Sequence, residues 1–215
     1  MPELMGWSTL LAVAAWLLGL AAVGVLNEVL ARHSRIPEEV SRKLAHVAVA
    51  LVVAGITVTT ALDHRWWVVL GLCFVAVVWS VRRWLRLRSL ARQGRHSSGE
   101  LLYGVGIALV ALVWSPEVFC CAVLALGLAD PAAQLVGTRW PIRVLGPATS
   151  LGGMLGCGVV AGLVAAAVLP GPWWLAVPVA VVAALAEAAG RHGWDNITLP
   201  VAVAVTASGL LWLTG

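Results

Sequence analysis

Lys43 is the only lysine among the fourteen basic residues, and His46 follows it by three positions in PEEVSRKLAH, residues 37–46. A compact ammonium beside an imidazole suits phosphate binding next to a proton acceptor. Arg42 adds a second cation directly before Lys43. The same string also has a structural reading. Pro37 opens a helix, Glu38 and Glu39 favour its first turn, and Glu38 with Arg42, Glu39 with Lys43 and Arg42 with His46 are pairs four apart.

Three more polar clusters follow. RHSSGELLYGVG, residues 95–106, begins with the last of six arginines, Arg95. Ser97 or Ser98 can cap a helix there, and Glu100 stands just before an apolar run, which makes it a second candidate proton acceptor. In GLADPAAQLVG, residues 127–137, Asp130 lies about 12 residues into an apolar stretch, roughly 18 Å of helix rise. Pro131 removes a backbone donor and is expected to break the helix at that carboxylate. A glycine-rich run, residues 146–153, then offers backbone N–H groups that could cradle phosphate. In the last cluster, residues 187–200, Glu187 and Arg191 read as a local pair four apart. Asp195 and Asn196 abut the final apolar run, as magnesium ligands beside phosphate or as a helix cap.

The elements that position these residues follow from composition. Apolar residues make up 61% of the 215 and charged residues 11%, too few charges to clothe a water-soluble surface. Disorder is excluded by the same excess of apolar side chains. The chain therefore reads as an all-α, polytopic membrane bundle in one integral domain, residues 1–215. Eight apolar runs fit spans: 7–30, 44–62, 66–81, 101–115, 118–138, 150–169, 173–190 and 197–214. The third and fourth are short. MPELMGW carries Glu3 and no basic residue, unlike a cleaved signal peptide.

Thirteen of the fourteen basic residues fall in alternate connections, with Arg65 the exception. The positive-inside rule then places both termini outside and the four polar clusters on the cytoplasmic side. Many of the twelve tryptophans, Trp66, Trp140 and Trp173 among them, fall near span ends, as in an aromatic belt. The arginine-rich loops are topological anchors and not a nucleic-acid surface. Cys73, Cys120, Cys121 and Cys157 show no metal or redox spacing and read as packing residues. The arginine bias fits a bacterial genome, hence a cytoplasmic membrane.

Four strings in order, RKLAH (42–46), SSGELLYGVGI (97–107), DPAAQLVG (130–137) and DNITLP (195–200), resemble the CTP-dependent polyprenol kinase family. This group includes dolichol, phytol and CTP-dependent diacylglycerol kinases and is related to phosphatidate cytidylyltransferases. The resemblance runs from about Glu38 to Pro200, and its most specific part is a D-x-x-A-x-x-x-G element met by Asp130, Ala133 and Gly137. It implies phosphoryl transfer from CTP to a membrane lipid alcohol with Mg2+. Under it, Asp130, Asp195 and Asn196 are the expected metal ligands; Lys43, His46, Asp130 and Glu100 the expected catalytic groups. Arg42, Lys43, Arg95, Ala133, Gly137, Arg139, Arg143, Thr149 and Gly152 are the expected nucleotide contacts.

One element departs from the family. Its second glycine is Pro141 here, and a Lys-Lys-Thr-x-Glu-Gly element reads Pro147, Ala148, Thr149, Ser150, Leu151 and Gly152. Thr149 and Gly152 remain, and Arg139 and Arg143 are the nearby cations that could replace the lost lysines. Three rivals stay open: a lipid cytidylyltransferase, a transporter with an aspartate in a broken helix, and an inactive relative.

Overall fold

The computed structural model describes residues 6–33, 38–59, 63–84, 99–144, 149–190 and 193–214. Among these the fold is all-α, with eight helices and one short 3-10 turn, Trp173–Leu175. The helices are α1 (Trp7–His33), α2 (Glu38–Thr59), α3 (Trp66–Trp84), α4 (Gly99–Val113), α5 (Pro116–Arg139), α6 (Leu151–Val168), α7 (Ala176–Ala189) and α8 (Asp195–Thr214). Five of them, α1, α2, α5, α6 and α8, are long and apolar enough to cross a membrane, and α3, α4 and α7 contribute shorter apolar stretches. The chain is a polytopic integral membrane protein.

Helix starts follow local chemistry. Ser115 precedes α5 in extended geometry, with Pro116 and Glu117 in the first turn, where a missing N–H costs nothing and a carboxylate is favoured. Ser150 caps α6, its Oγ accepting from the Gly153 N–H at 3.1 Å. Before α3, Asp63 Oδ1 accepts from the Arg65 N–H at 2.9 Å. The α7–α8 connection turns at Gly193, whose φ of 93° is a conformation that glycine alone adopts without strain.

α5 is the axis of the bundle, packed against α2, α4, α6 and α8, while α6, α7 and α8 pack in succession beside it. α3 lies on α4 and α1 on α2. Membrane helices gain little from hydrophobic exclusion by one another, so close approach depends on small residues. At Gly127 an added Cβ would run into the Ala50 side chain and sit 3.1 Å from the His46 carbonyl, so α2 and α5 touch backbone to backbone there. At Gly156 it would fall 2.9 Å from the Ala132 carbonyl, which holds α6 equally close to α5.

The expected break at Pro131 does not occur. α5 runs unbroken through it, with Asp130 and Pro131 both helical. The proline costs one hydrogen bond, and flanking helices that bury α5 on several sides keep the segment wound. The proposed phosphate cradle before α6 is also altered. The Leu151 N–H donates to the Ile142 carbonyl at 2.8 Å and the Gly153 N–H to Ser150 Oγ. Those two groups of the first turn are already engaged, and residues 146–148 of that run lie outside the described residues.

Candidate active site

Asp130, Ala133, Gln134 and Gly137 recur at i, i+3, i+4 and i+7, which puts them on one stripe of α5. That stripe forms one wall of a polar cavity of about 580 Å³. Arg42 and Lys43 enter it from α2, Ser150 and Gly153 from the start of α6, Glu187 from the end of α7 and Asp195 from the start of α8. The close α2–α5 contact at Gly127 lies one turn before Asp130 and brings the first turns of α2 against the carboxylate.

Lys43 Nζ forms a part-buried ion pair with Asp130 Oδ1, joining residues 87 positions apart. His46 Nδ1 stands 3.8 Å from Asp130 Oδ2, close enough for attraction but too far for a hydrogen bond. The His46 ring leans on Tyr103, centroids 4.5 Å apart, and the Tyr103 hydroxyl donates to the His46 carbonyl at 3.1 Å. Both ring nitrogens of His46, Asp130 Oδ2 and Glu187 Oε2 are buried and lack a hydrogen-bond partner among the described residues. Buried polar atoms left unpaired are costly, so a cluster of them at one cavity calls for water, an ion or a ligand there.

Asp130, Glu187 and Asp195 each offer a carboxylate oxygen, and these oxygens lie within 4.8 Å of one another. Three carboxyl groups that close, with one of them paired to Lys43, crowd oxygen ligands toward a single point. A hard divalent cation such as magnesium, which takes oxygen ligands, fits that donor set. The orphaned Asp130 Oδ2 and Glu187 Oε2 atoms are available to it.

A second cavity, of about 370 Å³, lies between α1 and α3 over the faces of α2 and α4. Its walls are apolar except at one end, where Asn27, Arg42, His46 and Glu100 gather. Arg42 lines both cavities.

The residues singled out in the sequence divide as follows. Arg42, Lys43, Asp130, Ala133, Gly137, Arg143, Thr149 and Asp195 line the polar cavity. His46 borders Asp130 from the apolar side, and Glu100 lies at the mouth of the apolar cavity, away from the three carboxylates. Asn196 is buried with its Nδ2 donating to the Gly193 carbonyl at 3.2 Å, and it does not line the polar cavity. Gly152 packs against Trp140, where an added Cβ would meet its carbonyl at 2.6 Å, and Arg139 is exposed at the end of α5. Arg95, Ser97 and Ser98 lie outside the described residues.

Glu187 and Gln134 were missed in the sequence. Glu187 carried a signal, being the first charged residue after Arg143 and the one acid of an otherwise apolar helix, but its spacing to Arg191 offered a local explanation. Gln134 carried none beyond its place on the Asp130 stripe.

No family model matches the chain, and no solved structure does. Among curated proteins it is similar to the phytol kinase of Synechocystis, 32% identical over 212 aligned residues that cover 90% of each chain.

Proposed function

From the premise that this chain belongs to the CTP-dependent polyprenol kinase family, we propose that it phosphorylates a membrane lipid alcohol of the phytol type, with CTP as donor. The observation that carries this reading is Asp130, a carboxylate buried within a membrane helix, paired to Lys43 and grouped with Glu187 and Asp195 at a polar cavity. A structural ion pair alone would not gather two further carboxylates at the same point.

In this reading the polar cavity takes the nucleotide. Lys43, Arg42 and Arg143 neutralise phosphate oxygens, and Thr149 and the Gly137–Gly153 contact shape the floor. Asp130, Glu187 and Asp195 hold Mg2+, which supplies charge neutralisation on the triphosphate. The lipid hydroxyl oxygen attacks the γ-phosphorus as the bond from that phosphorus to the β-phosphate oxygen breaks. CDP leaves, and the hydroxyl proton passes to the His46 imidazole. His46 is suited to this because it is buried, with both ring nitrogens unpaired and Asp130 Oδ2 beside it at 3.8 Å to stabilise the imidazolium.

We further propose that all eight helices cross the membrane, with both termini outside and the polar cavity at the cytoplasmic face. Basic residues confined to alternate loops support this orientation. It also gives the nucleotide direct access.

The test supplies purified protein with a phytol-type alcohol and CTP labelled at either the γ- or the α-phosphate. Label from the γ-position alone should appear on the lipid. Transfer of the α-label, with release of pyrophosphate, would assign the chain to cytidylyl transfer.

A further inference from the structure

We propose that the cleft between α1 and α3 is a lateral portal through which a single-chain lipid alcohol enters from the bilayer and is held with its hydroxyl at His46. The inference rests on the kinase reading for the fate of that hydroxyl and on the geometry of the cleft for everything else.

α1 and α3 each lean on a different helix, α2 and α4, and meet at Trp16 and Trp67, whose rings contact edge to face with centroids 5.6 Å apart. Away from that contact the two helices stand apart, and the 370 Å³ cavity fills the gap. Its lips are exposed apolar residues, Leu17 on α1 and Val77 on α3, so the gap faces lipid and not water. At the tryptophan pair the cleft narrows to a void of about 10 Å³, too small for a chain to continue. At the other end Ser41 Oγ donates to Asn27 Oδ1, fixing α1 to α2 beside Arg42. The cleft is therefore closed at its deep end, polar at its mouth and open along one side.

Continuity with the site selects the occupant. Arg42 is common to both cavities, and His46 separates the cleft from Asp130. A ligand filling both regions needs an apolar tail and one polar head carrying a nucleophile. Cavities that enclose a drug-sized molecule run about 300–1,000 Å³, and this one, at 370 Å³, has room for one chain and not two. A single-chain alcohol fits, while a diacylglycerol would have to leave a chain outside. The open side lets the tail slide in from the membrane without being lifted through water.

Gly24 provides the means of closing the portal. It lines the cleft, and an added Cβ there meets nothing within 4 Å, so a large side chain can be introduced without displacing the fold. Gly209 on α8 is equally unobstructed and lies outside the cleft, which makes it the control.

The experiment uses a long-chain isoprenoid alcohol with a diazirine on its tail, photolysed with the full-length protein in lipid nanodiscs. Adducts should map to residues 16–24 and 73–81 and be displaced by the unlabelled alcohol, but not by diacylglycerol or by the parent hydrocarbon. Gly24→Trp should remove those adducts and raise the KM for the alcohol ~10-fold, the scale of losing burial of about two methylenes. The KM for CTP should not change, and Gly209→Trp should change neither. Adducts scattered over other lipid-facing helices, equal displacement by diacylglycerol, or an unaltered alcohol KM in Gly24→Trp would each overturn the portal while leaving the kinase reading intact. Adducts at the cleft with no phosphate reaching any alcohol would support the portal and overturn the kinase reading.

Discussion

The two halves of the bundle are packed to different standards. Two thirds of the apolar stretch of α5 is buried inside the protein (67%), against 11% for α1. Around α5, glycines at 127, 137 and 156 bring backbones into contact, and the ionisable groups of four helices converge on one cavity. α3 also meets α4 closely, at Gly71 and Gly104, but on α1 glycine 24 faces open space and a cleft remains between α1 and α3. Phosphoryl transfer is mostly positioning and charge neutralisation, so its residues belong on a rigid frame. Admission of a lipid tail needs the opposite, a boundary that is not filled.

The largest expected effect concerns Asp130. Asp130→Asn removes the charge that pairs with Lys43 and, under the proposed function, holds the metal, and turnover should fall by ~10²-fold or more. It also removes the ion-pair partner of Lys43, so thermal stability should drop. Breaking a fully buried pair costs about 3–5 kcal/mol, and the loss here should be smaller, because Lys43 is only part-buried and shares its cavity with Glu187 and Asp195. Adding Lys43→Met should restore the thermal midpoint and leave turnover lost. A purely structural Asp130 would instead give a single variant whose folded fraction retains wild-type specific activity.

A pair of glycine substitutions sharpens the contrast in packing. Gly127→Ala places a methyl against Ala50, which cannot rotate away, and should destabilise by about 1–3 kcal/mol. Gly24→Ala, with nothing to meet, should stay within about 0.5 kcal/mol of the parent. Thermal unfolding in one detergent checks both, and equal effects at the two positions would erase the distinction between the halves.

The smallest effect is expected at Tyr103. Tyr103→Phe deletes the bond to the His46 carbonyl and should cost about 0.5–1.5 kcal/mol of stability. Turnover should change little, because the ring that supports His46 stays in place.

Much of this was legible in the sequence because membrane solvation is a strict rule. α5 was expected at 118–138 and runs Pro116–Arg139, since apolar length alone sets a span. Asp130 stood out because a carboxylate inside such a run demands an explanation. The break at Pro131 was misjudged because sequence shows the missing donor and not the helices packed around it. Glu187 was hidden by Arg191, four residues on. Its approach to Asp130 and Asp195 depends on α7 packing beside α5 and on the turn at Gly193, neither of which is a local property. The Lys43 pair spans 87 positions and follows from a glycine at 127 whose importance no spacing reveals.

The most direct test of the central claim is the binding of Mn2+, as a paramagnetic stand-in for Mg2+, measured by spin resonance on purified protein with and without CTP. A site built by Asp130, Glu187 and Asp195 should bind Mn2+ and hold it more tightly when CTP is present. Asp130→Asn and Glu187→Gln should each weaken that binding by ~10-fold or more, consistent with the charge dependence of oxygen-ligand sites. Undiminished Mn2+ binding in both variants would contradict the three-carboxylate site, and with it the placement of the phosphoryl-transfer chemistry at Asp130.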